Sequence, residues 1–407
     1  MIKPADARLV YYILSFTSSM LFSMIFMVTS IYEATIANLA GYQLVLIGTA
    51  LEVSILLFEV PTGVLADTRS RKLSIILGLF LIGTGFLIEG LLPAFLPILL
   101  AQVVAGLGFT FTSGATIAWI SDEIGEQEAN QVVLNSNKFD QMGGLVGLAI
   151  ATAIGYSNAV IPLVSGSVLL MLFSLSLVWL MPENGFSSTK PEDRNTWQHA
   201  LAIFREGLNT IKINPKLLTI LSVGFVYGLY SEGWDRLWVK HLLTTFDISV
   251  LTGLSAVGFI GILRAIAILG SILVTSMVER RANVNNPSAV TSTLFTATSI
   301  LAISILLFAF SPWLSLSALL FMAVSASRNI IGPFYNAWIN SKLPPNVRAT
   351  ILSMSGQVDA IGQVGSGPIA AAISLLSIKV AIAFAGLLLS PALPLIKRAR
   401  PVDQPDL

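Results

Sequence analysis

Twelve apolar stretches, each close to the roughly 20 residues that a helix needs to cross a bilayer, leave this chain little choice of architecture. They run Leu9–Ile31, Gln43–Ala66, Leu73–Leu92, Phe95–Ile120, Val132–Gly155 and Val160–Leu180, then Leu217–Val239, Leu254–Val278, Val290–Phe310, Trp313–Ile339, Thr350–Leu376 and Ile378–Leu395. Lipid offers no hydrogen bonds to a backbone, so each stretch is read as a helix that satisfies its own N–H and C=O groups. The composition agrees: 11% of residues are charged, against about 25% in soluble domains. The first stretch is too long for a cleaved signal peptide and is followed by more of the same. The chain has no cysteine, which excludes thiolate catalysis and thiolate metal sites. Its two histidines, His199 and His241, both read as loop residues, and neither a metal nor a cofactor is expected.

The basic residues set an orientation. With the N-terminus inside, eighteen Lys and Arg fall in cytoplasmic segments and three outside (Arg236, Lys240 and Lys379), so both termini are expected in the cytoplasm of a cell (inner) membrane. The two sets of six stretches also echo one another. Ala118-Trp119-Ile120 returns as Ala337-Trp338-Ile339, and at the same offset Asp140 matches Asp359, Gly143 matches Gly362 and Gly147 matches Ser366. The expected fold is therefore an all-α membrane protein, twelve transmembrane helices arranged as two pseudo-symmetric six-helix bundles over 1–180 and 217–407. A cytoplasmic linker over 181–216 joins them. Within the linker Trp197, Leu201, Phe204, Leu208 and Ile211 share a helical face opposed by Arg205, Glu206 and Lys212, and Asn195 with Gln198 reads as a capped start. This predicts an amphipathic helix, either on the membrane surface or packed beneath the bundles.

Between the second and third stretches lies Gly63-Val64-Leu65-Ala66-Asp67-Thr68-Arg69-Ser70-Arg71-Lys72, read as a tight cytoplasmic turn. Six plus six helices with this turn resemble the major facilitator superfamily, whose loop pattern is matched by Gly63, Leu65, Ala66, Asp67, Arg71 and Lys72. Thr68 and Ser70 depart from its basic residue and second glycine. The counterpart loop near Val278–Asn285 keeps Arg280-Arg281 but lacks the aspartate. The resemblance implies a secondary transporter whose bundles rock about a central cavity, lined mainly by helices one, four, seven and ten, with helices two, five, eight and eleven at the bundle interface. Among twelve-helix proton-coupled drug exporters, the resemblance weakens at Gln102, which stands where an arginine is usual, and in helix five, which keeps Gly143, Gly144 and Gly147 without the proline.

Several residues could carry chemistry, each with a plainer reading beside it. Gly63, Asp67, Arg71 and Lys72 could form a gating latch, Asp67 against the start of helix eleven near Thr350 and Arg71 against Asp122 or Glu123. The plainer reading is a basic turn that obeys the charge bias. Glu52 and Glu59, seven residues apart on one face of helix two, could couple protons or bind a cation, or could be ion-paired with Arg264 or Arg328. Asp140 and Asp359, beside Gly143 and Gly362, could gate the interface or simply tie helix ends together, and Lys138 could pair with Asp140. Arg328, Asn329, Asn336 and Asn340 form a polar stripe on helix ten that reads as cavity wall, with Tyr227, Phe109 and Thr112 as candidate companions. Trp234 reads as part of an interfacial aromatic belt, and Glu33, Glu89, Glu232 and Asp235 as a solvated outer rim.

The carboxylates Glu52, Glu59, Asp140 and Asp359 outnumber the cations Arg264 and Arg328 within the apolar stretches. The expected function is thus proton-coupled efflux of amphipathic small molecules or drugs by alternating access. Its partners are a small-molecule substrate, protons and the lipid bilayer, with no nucleic acid, and the protein is expected to act as a monomer. The rival reading is an importer or exchanger of a polar metabolite at Arg328 and the asparagines. A membrane sensor or enzyme has no supporting residue cluster.

Overall fold

The computed structural model describes residues 6–187, 215–282, 286–340 and 348–399. The helix predicted within the linker lies outside the described residues, as does the end of the loop after Ala282. The described chain is a succession of helices. In order they are α1 (Ala7–Thr35), α2 (Gly41–Thr68), α3 (Arg71–Leu91), α4 (Phe95–Thr112), α5 (Ala115–Ile124), α6 (Glu126–Ile154) and α7 (Val160–Leu180). After the linker come α8 (Pro215–Thr245), α9 (Ile248–Thr252), α10 (Ala256–Arg281), α11 (Pro287–Ala309), α12 (Leu314–Asn340), α13 (Arg348–Leu376), α14 (Ile378–Leu388) and α15 (Ala392–Arg398). Among the described residues nine segments are long and apolar enough to cross a membrane, α4 with α5 and α14 with α15 each counting as one. The helices α6, α8 and α13 are as long but are not among those nine.

Short polar side chains start these helices where the sequence leaves backbone donors exposed. Asp6 accepts from the Arg8 amide at 3.0 Å, Ser70 from the Leu73 amide at 2.9 Å and Asn286 from the Ser288 amide at 2.9 Å. Buried serines and threonines inside the helices bond back to the preceding turn, as Thr29 does to the Ile25 carbonyl at 2.8 Å and Ser167 to that of Leu163 at 2.7 Å. A hydroxyl placed this way costs little even in an apolar bundle.

The chain divides into two compact units. The first takes Met1–Leu39, Ala50–Leu201 and Ile248–Gly261, and the second Ala40–Thr49, Ala202–Asp247 and Ile262–Leu407, for the residues described in each. The beginning of α2 thus packs with α8 of the second unit. A Cβ on Gly48 would collide with the Glu232 carboxylate and the Arg236 guanidinium, so a larger residue there would push these two side chains aside. In the first unit α6 lies against α1, and in the second α13 lies against α8. Gly143 and Gly147 present bare backbone to the Phe16 and Met20 carbonyls, and Gly362 does the same to the Phe225 carbonyl, where an added Cβ would stand 2.6 Å away. The repeated glycines therefore bring paired helices together within each unit.

The span beginning at Phe95 is not continuous. Ser113 and Gly114 separate α4 from α5, and Gly114 takes φ 70°, a left-handed conformation that glycine adopts without strain. At the repeat offset these two residues correspond to Gly332 and Pro333, and Pro333 sits inside α12. The helix is broken there in the first unit and continuous through a proline in the second, each a few residues before a buried tryptophan, Trp119 or Trp338.

Candidate functional site

In the second unit α8, α12 and α13 enclose a cavity of about 420 Å³. From α8 come Tyr227, Tyr230, Ser231 and Asp235; from α12 come Arg328, Tyr335 and Asn336; from α13 come Ser355, Asp359 and Gln363. The Arg328 guanidinium forks onto both Asp235 carboxylate oxygens, Nη1 to Oδ1 and Nη2 to Oδ2, the latter at 2.9 Å. Its carbon lies over the Tyr230 ring, 5.9 Å from the centroid. A bidentate guanidinium–carboxylate pair is the strong form of this contact, because two charge-assisted hydrogen bonds hold one geometry.

Two of the tyrosines are held through their hydroxyls, by partners that include the cavity residue Ser355. Tyr227 shares a 2.7 Å hydrogen bond with the buried Thr298 hydroxyl, and Tyr335 donates to the Ile220 carbonyl at 2.9 Å while accepting from Ser355 at 3.3 Å. Their rings meet edge to face with centroids 5.6 Å apart. Asp359 accepts from Gln363 Nε2 at 2.8 Å, one helical turn further on. The cavity therefore combines two carboxylates, one guanidinium, aromatic faces and amide or hydroxyl groups.

In the first unit the segment Gly63–Lys72 differs from the expected turn. Helix α2 runs through Thr68, so Gly63 and Asp67 are helical, and only Arg69 and Ser70 connect it to α3. Ser70, a departure from the family pattern, is the residue that caps α3. Arg71 Nη1 lies 2.7 Å from Asp122 Oδ2 and donates to the Ala118 carbonyl at 2.7 Å, with Asp67 3.7 Å from Nη2. Lys72 caps α7, its Nζ donating to the Val178 and Met181 carbonyls at 2.8 and 2.7 Å. Glu123 does not reach Arg71; it accepts from the backbone amides of Asn184 and Gly185 at 2.7 and 2.8 Å. Glu183 collects Ser70 Oγ at 2.8 Å and the Lys72 amide at 3.0 Å, and Trp119 donates to the Pro182 carbonyl at 2.8 Å. The start of the linker is thereby tied to α3 and α5. The side chain of Thr350, the expected neighbour of Asp67, lies outside the described residues.

The remaining candidates divide. Glu59 and Glu52 are both half-buried on α2, and Glu59 accepts from Ser113 Oγ at 3.0 Å, at the break between α4 and α5. Phe109 packs with Phe22 and Phe26 of α1, centroids 6.1 and 6.4 Å apart, and Thr112 sits against α3 at Gly78. Asn336 lines the second unit's cavity, whereas Asn329 is exposed outside its lining. Asp140 is exposed while its repeat mate Asp359 faces the cavity. Lys138 and Asp140 form no ion pair among the described residues, as two positions on a helix point to different sides.

Several expectations are corrected. Asp235 is no rim residue but the partner of Arg328, and neither glutamate of α2 holds that place. Glu33, Glu89 and Glu232 are buried, and Glu89 accepts from Gln102 Nε2 at 2.6 Å. Trp234 lies in the core against Phe308, centroids 5.0 Å apart, instead of in an interfacial belt. His241 is buried within α8, not in a loop, and Arg264 lies over Trp238, 5.4 Å from the ring centroid. The residues missed in the sequence are Tyr335, Ser355, Gln363 and Glu183. Only Gln363, four places after Asp359, carried a local signal.

Comparison with known proteins gives a family. The model of the Major Facilitator Superfamily matches residues 11–367. A protein of Bacillus subtilis (strain 168), described as the uncharacterized MFS-type transporter YxaM, is 26% identical over 341 residues, covering 82% of this chain and 80% of that protein. Among solved structures, a mutant form of the nucleoside transporter NupG superposes with TM-score 0.76 at 13% identity, over 97% of this chain and 100% of that one. A bacterial homolog of the human lysosomal transporter Spinster superposes with TM-score 0.72 at 13% identity, over 97% of each chain. At such identities these structures establish the fold alone.

Proposed function

The chain belongs to the Major Facilitator Superfamily and is a multi-pass membrane transporter, not an enzyme, and from that premise we propose that it exports amphipathic small molecules against protons by alternating access. The observation that supports this reading is the cavity of about 420 Å³ in the second unit, where charged, aromatic and hydrogen-bonding side chains from three long helices meet. That volume falls within the ordinary range for small-molecule sites. Under this reading α6, α8 and α13 also cross the bilayer, completing twelve spans, both termini are cytoplasmic, and the protein works as a monomer.

Proton coupling is assigned to Glu52 and Glu59. An ionised carboxylate at the centre of a spanning helix costs about 2.5–3.5 kcal/mol on insertion scales, so a site that alternates between wet and dry surroundings favours uptake and release of a proton. Its placement beside Ser113, where the path of α4 is interrupted, supports Glu59 as the more directly coupled of the two. The rival reading, import or exchange of a polar metabolite, draws on the same cavity through Arg328, Asn336 and Gln363.

Proteoliposomes with an imposed pH gradient separate the two. Proton flux that appears only with an amphipathic substrate, and whose pH profile moves in Glu52→Gln or Glu59→Gln, is the expected result. Flux that ignores pH and is competed by organic anions selects the rival. Absence of coupled flux with every compound rejects the export reading.

A further inference from the structure

We infer that the cavity of the second unit selects a protonated amine, whose N–H groups are received by Asp359, and that the Asp235–Arg328 pair is a neutral fixture of the wall. The inference rests on the reading of this cavity as the place where substrate loads. Arg328 is the obvious anion site, but its two-toothed edge is already spent on Asp235 and one of its faces lies over Tyr230. A carboxylate or phosphate seeking that same two-toothed edge would have to displace Asp235, leaving an aspartate without its partner in partly buried surroundings, and at the other N–H groups it would meet a guanidinium whose charge Asp235 already balances. With that pair neutral, Asp359 leaves the cavity one negative charge in excess, which a monocation balances.

Asp359 is also poised for the task. Gln363 holds Oδ2, and no described residue hydrogen-bonds Oδ1. The carboxylate is thus fixed in direction with an acceptor to spare. Tyr227 and Tyr335 have their hydroxyls committed to Thr298 and to the Ile220 carbonyl, so what remains for a ligand is their ring surface. Aromatic faces beside a carboxylate favour an ammonium group. Asn336 adds a side chain that can donate and accept, which suits a hydroxyl or carbonyl on the same ligand.

The test uses two matched sets, tryptamine with N-acetyltryptamine and indole-3-propionate, and glucosamine with N-acetylglucosamine and glucuronate. Binding to the purified full-length protein is followed by isothermal titration calorimetry, since the indole probes emit where tryptophan does. The expected result is that at least one amine binds about tenfold or more tightly than its acetylated and anionic counterparts, the loss expected for one charge-assisted hydrogen bond. Asp359→Asn should bring that ratio close to one, and Asp359→Glu should restore it. Recovery in the conservative variant, together with a retained far-ultraviolet helix signal in Asp359→Asn, shows that the loss is not one of folding. Tighter binding of the anion or of the acetylated member, an undiminished preference in Asp359→Asn, or no binding by any of the six overturns the inference. Asn336→Trp, which fills the cavity, tells the two levels apart. If it abolishes binding of a preferred anion or neutral compound, the cavity stands as the site and only the amine inference falls. If it leaves amine binding untouched, the cavity reading itself falls.

Discussion

Arg328 and Asp235, on α12 and α8, are joined by two hydrogen bonds across 93 positions of sequence. Both side chains keep partial access to the cavity, at 37% and 41% exposure, so the pair is neither a screened surface contact nor a fully buried one. Its worth is best read from the cost of breaking it asymmetrically. Arg328→Met leaves two carboxylates in one cavity, Asp235→Asn leaves a guanidinium without its forked partner, and the double variant returns to the formal charge of the unaltered cavity. We expect the two single costs in thermal unfolding to exceed the double cost by about 1–3 kcal/mol, the coupling typical of directly paired groups. Simple additivity would show that the pair contributes nothing to holding α8 against α12. At this scale the sequence was partly legible. Gln363 follows Asp359 by one helical turn and can be read off the spacing, whereas nothing near Asp235 indicates which cation it meets.

Among elements, α6 approaches α1 closely and α13 approaches α8 closely, and glycine makes both possible. Gly143 faces the Phe16 carbonyl with no room for a methyl group, while Gly144, its neighbour, would meet only the Ser19 and Ser23 hydroxyls at 3.3 and 3.4 Å. Gly143→Ala is therefore expected to destabilise the protein by about 1–3 kcal/mol, the usual cost of overpacking. Gly144→Ala, where the flexible hydroxyls can turn aside, should leave the melting temperature nearly unchanged. Equal effects of the two would show that backbone proximity is not what these glycines serve. The repeat of Gly143 at Gly362 was visible in the sequence, but its meaning was not. Spacing reports that a face is small, and only packing reports which helix lies on it. The interruption between α4 and α5 was hidden for a related reason. Ser113-Gly114 lies within an apolar run, and a single glycine there is compatible with an unbroken helix.

For the whole molecule, the question is what couples binding to movement. Arg71 bridges the end of α2 to α5 through Asp67 and Asp122, and Glu183 and Lys72 fasten the start of the linker to the same corner. We propose that this cross-linked corner serves as a latch that holds and releases a conformation. Asp67→Asn is expected to reduce transport in proteoliposomes to background while ligand affinity in detergent stays as in the unaltered protein. Normal transport by that variant would remove the latch from the mechanism. The sequence by itself determined that the chain is helical and membrane-spanning, that its halves repeat and that its family is one of transporters. Those properties follow from the length and apolarity of segments and from short motifs, which are local. Only the tertiary structure decided that Asp235 neutralises Arg328, that Asp359 faces the cavity while Asp140 is exposed, and that Glu33, Glu89 and Glu232 are buried. A charged side chain can be tolerated at membrane depth in many surroundings, and its partner is chosen by which helices pack side by side.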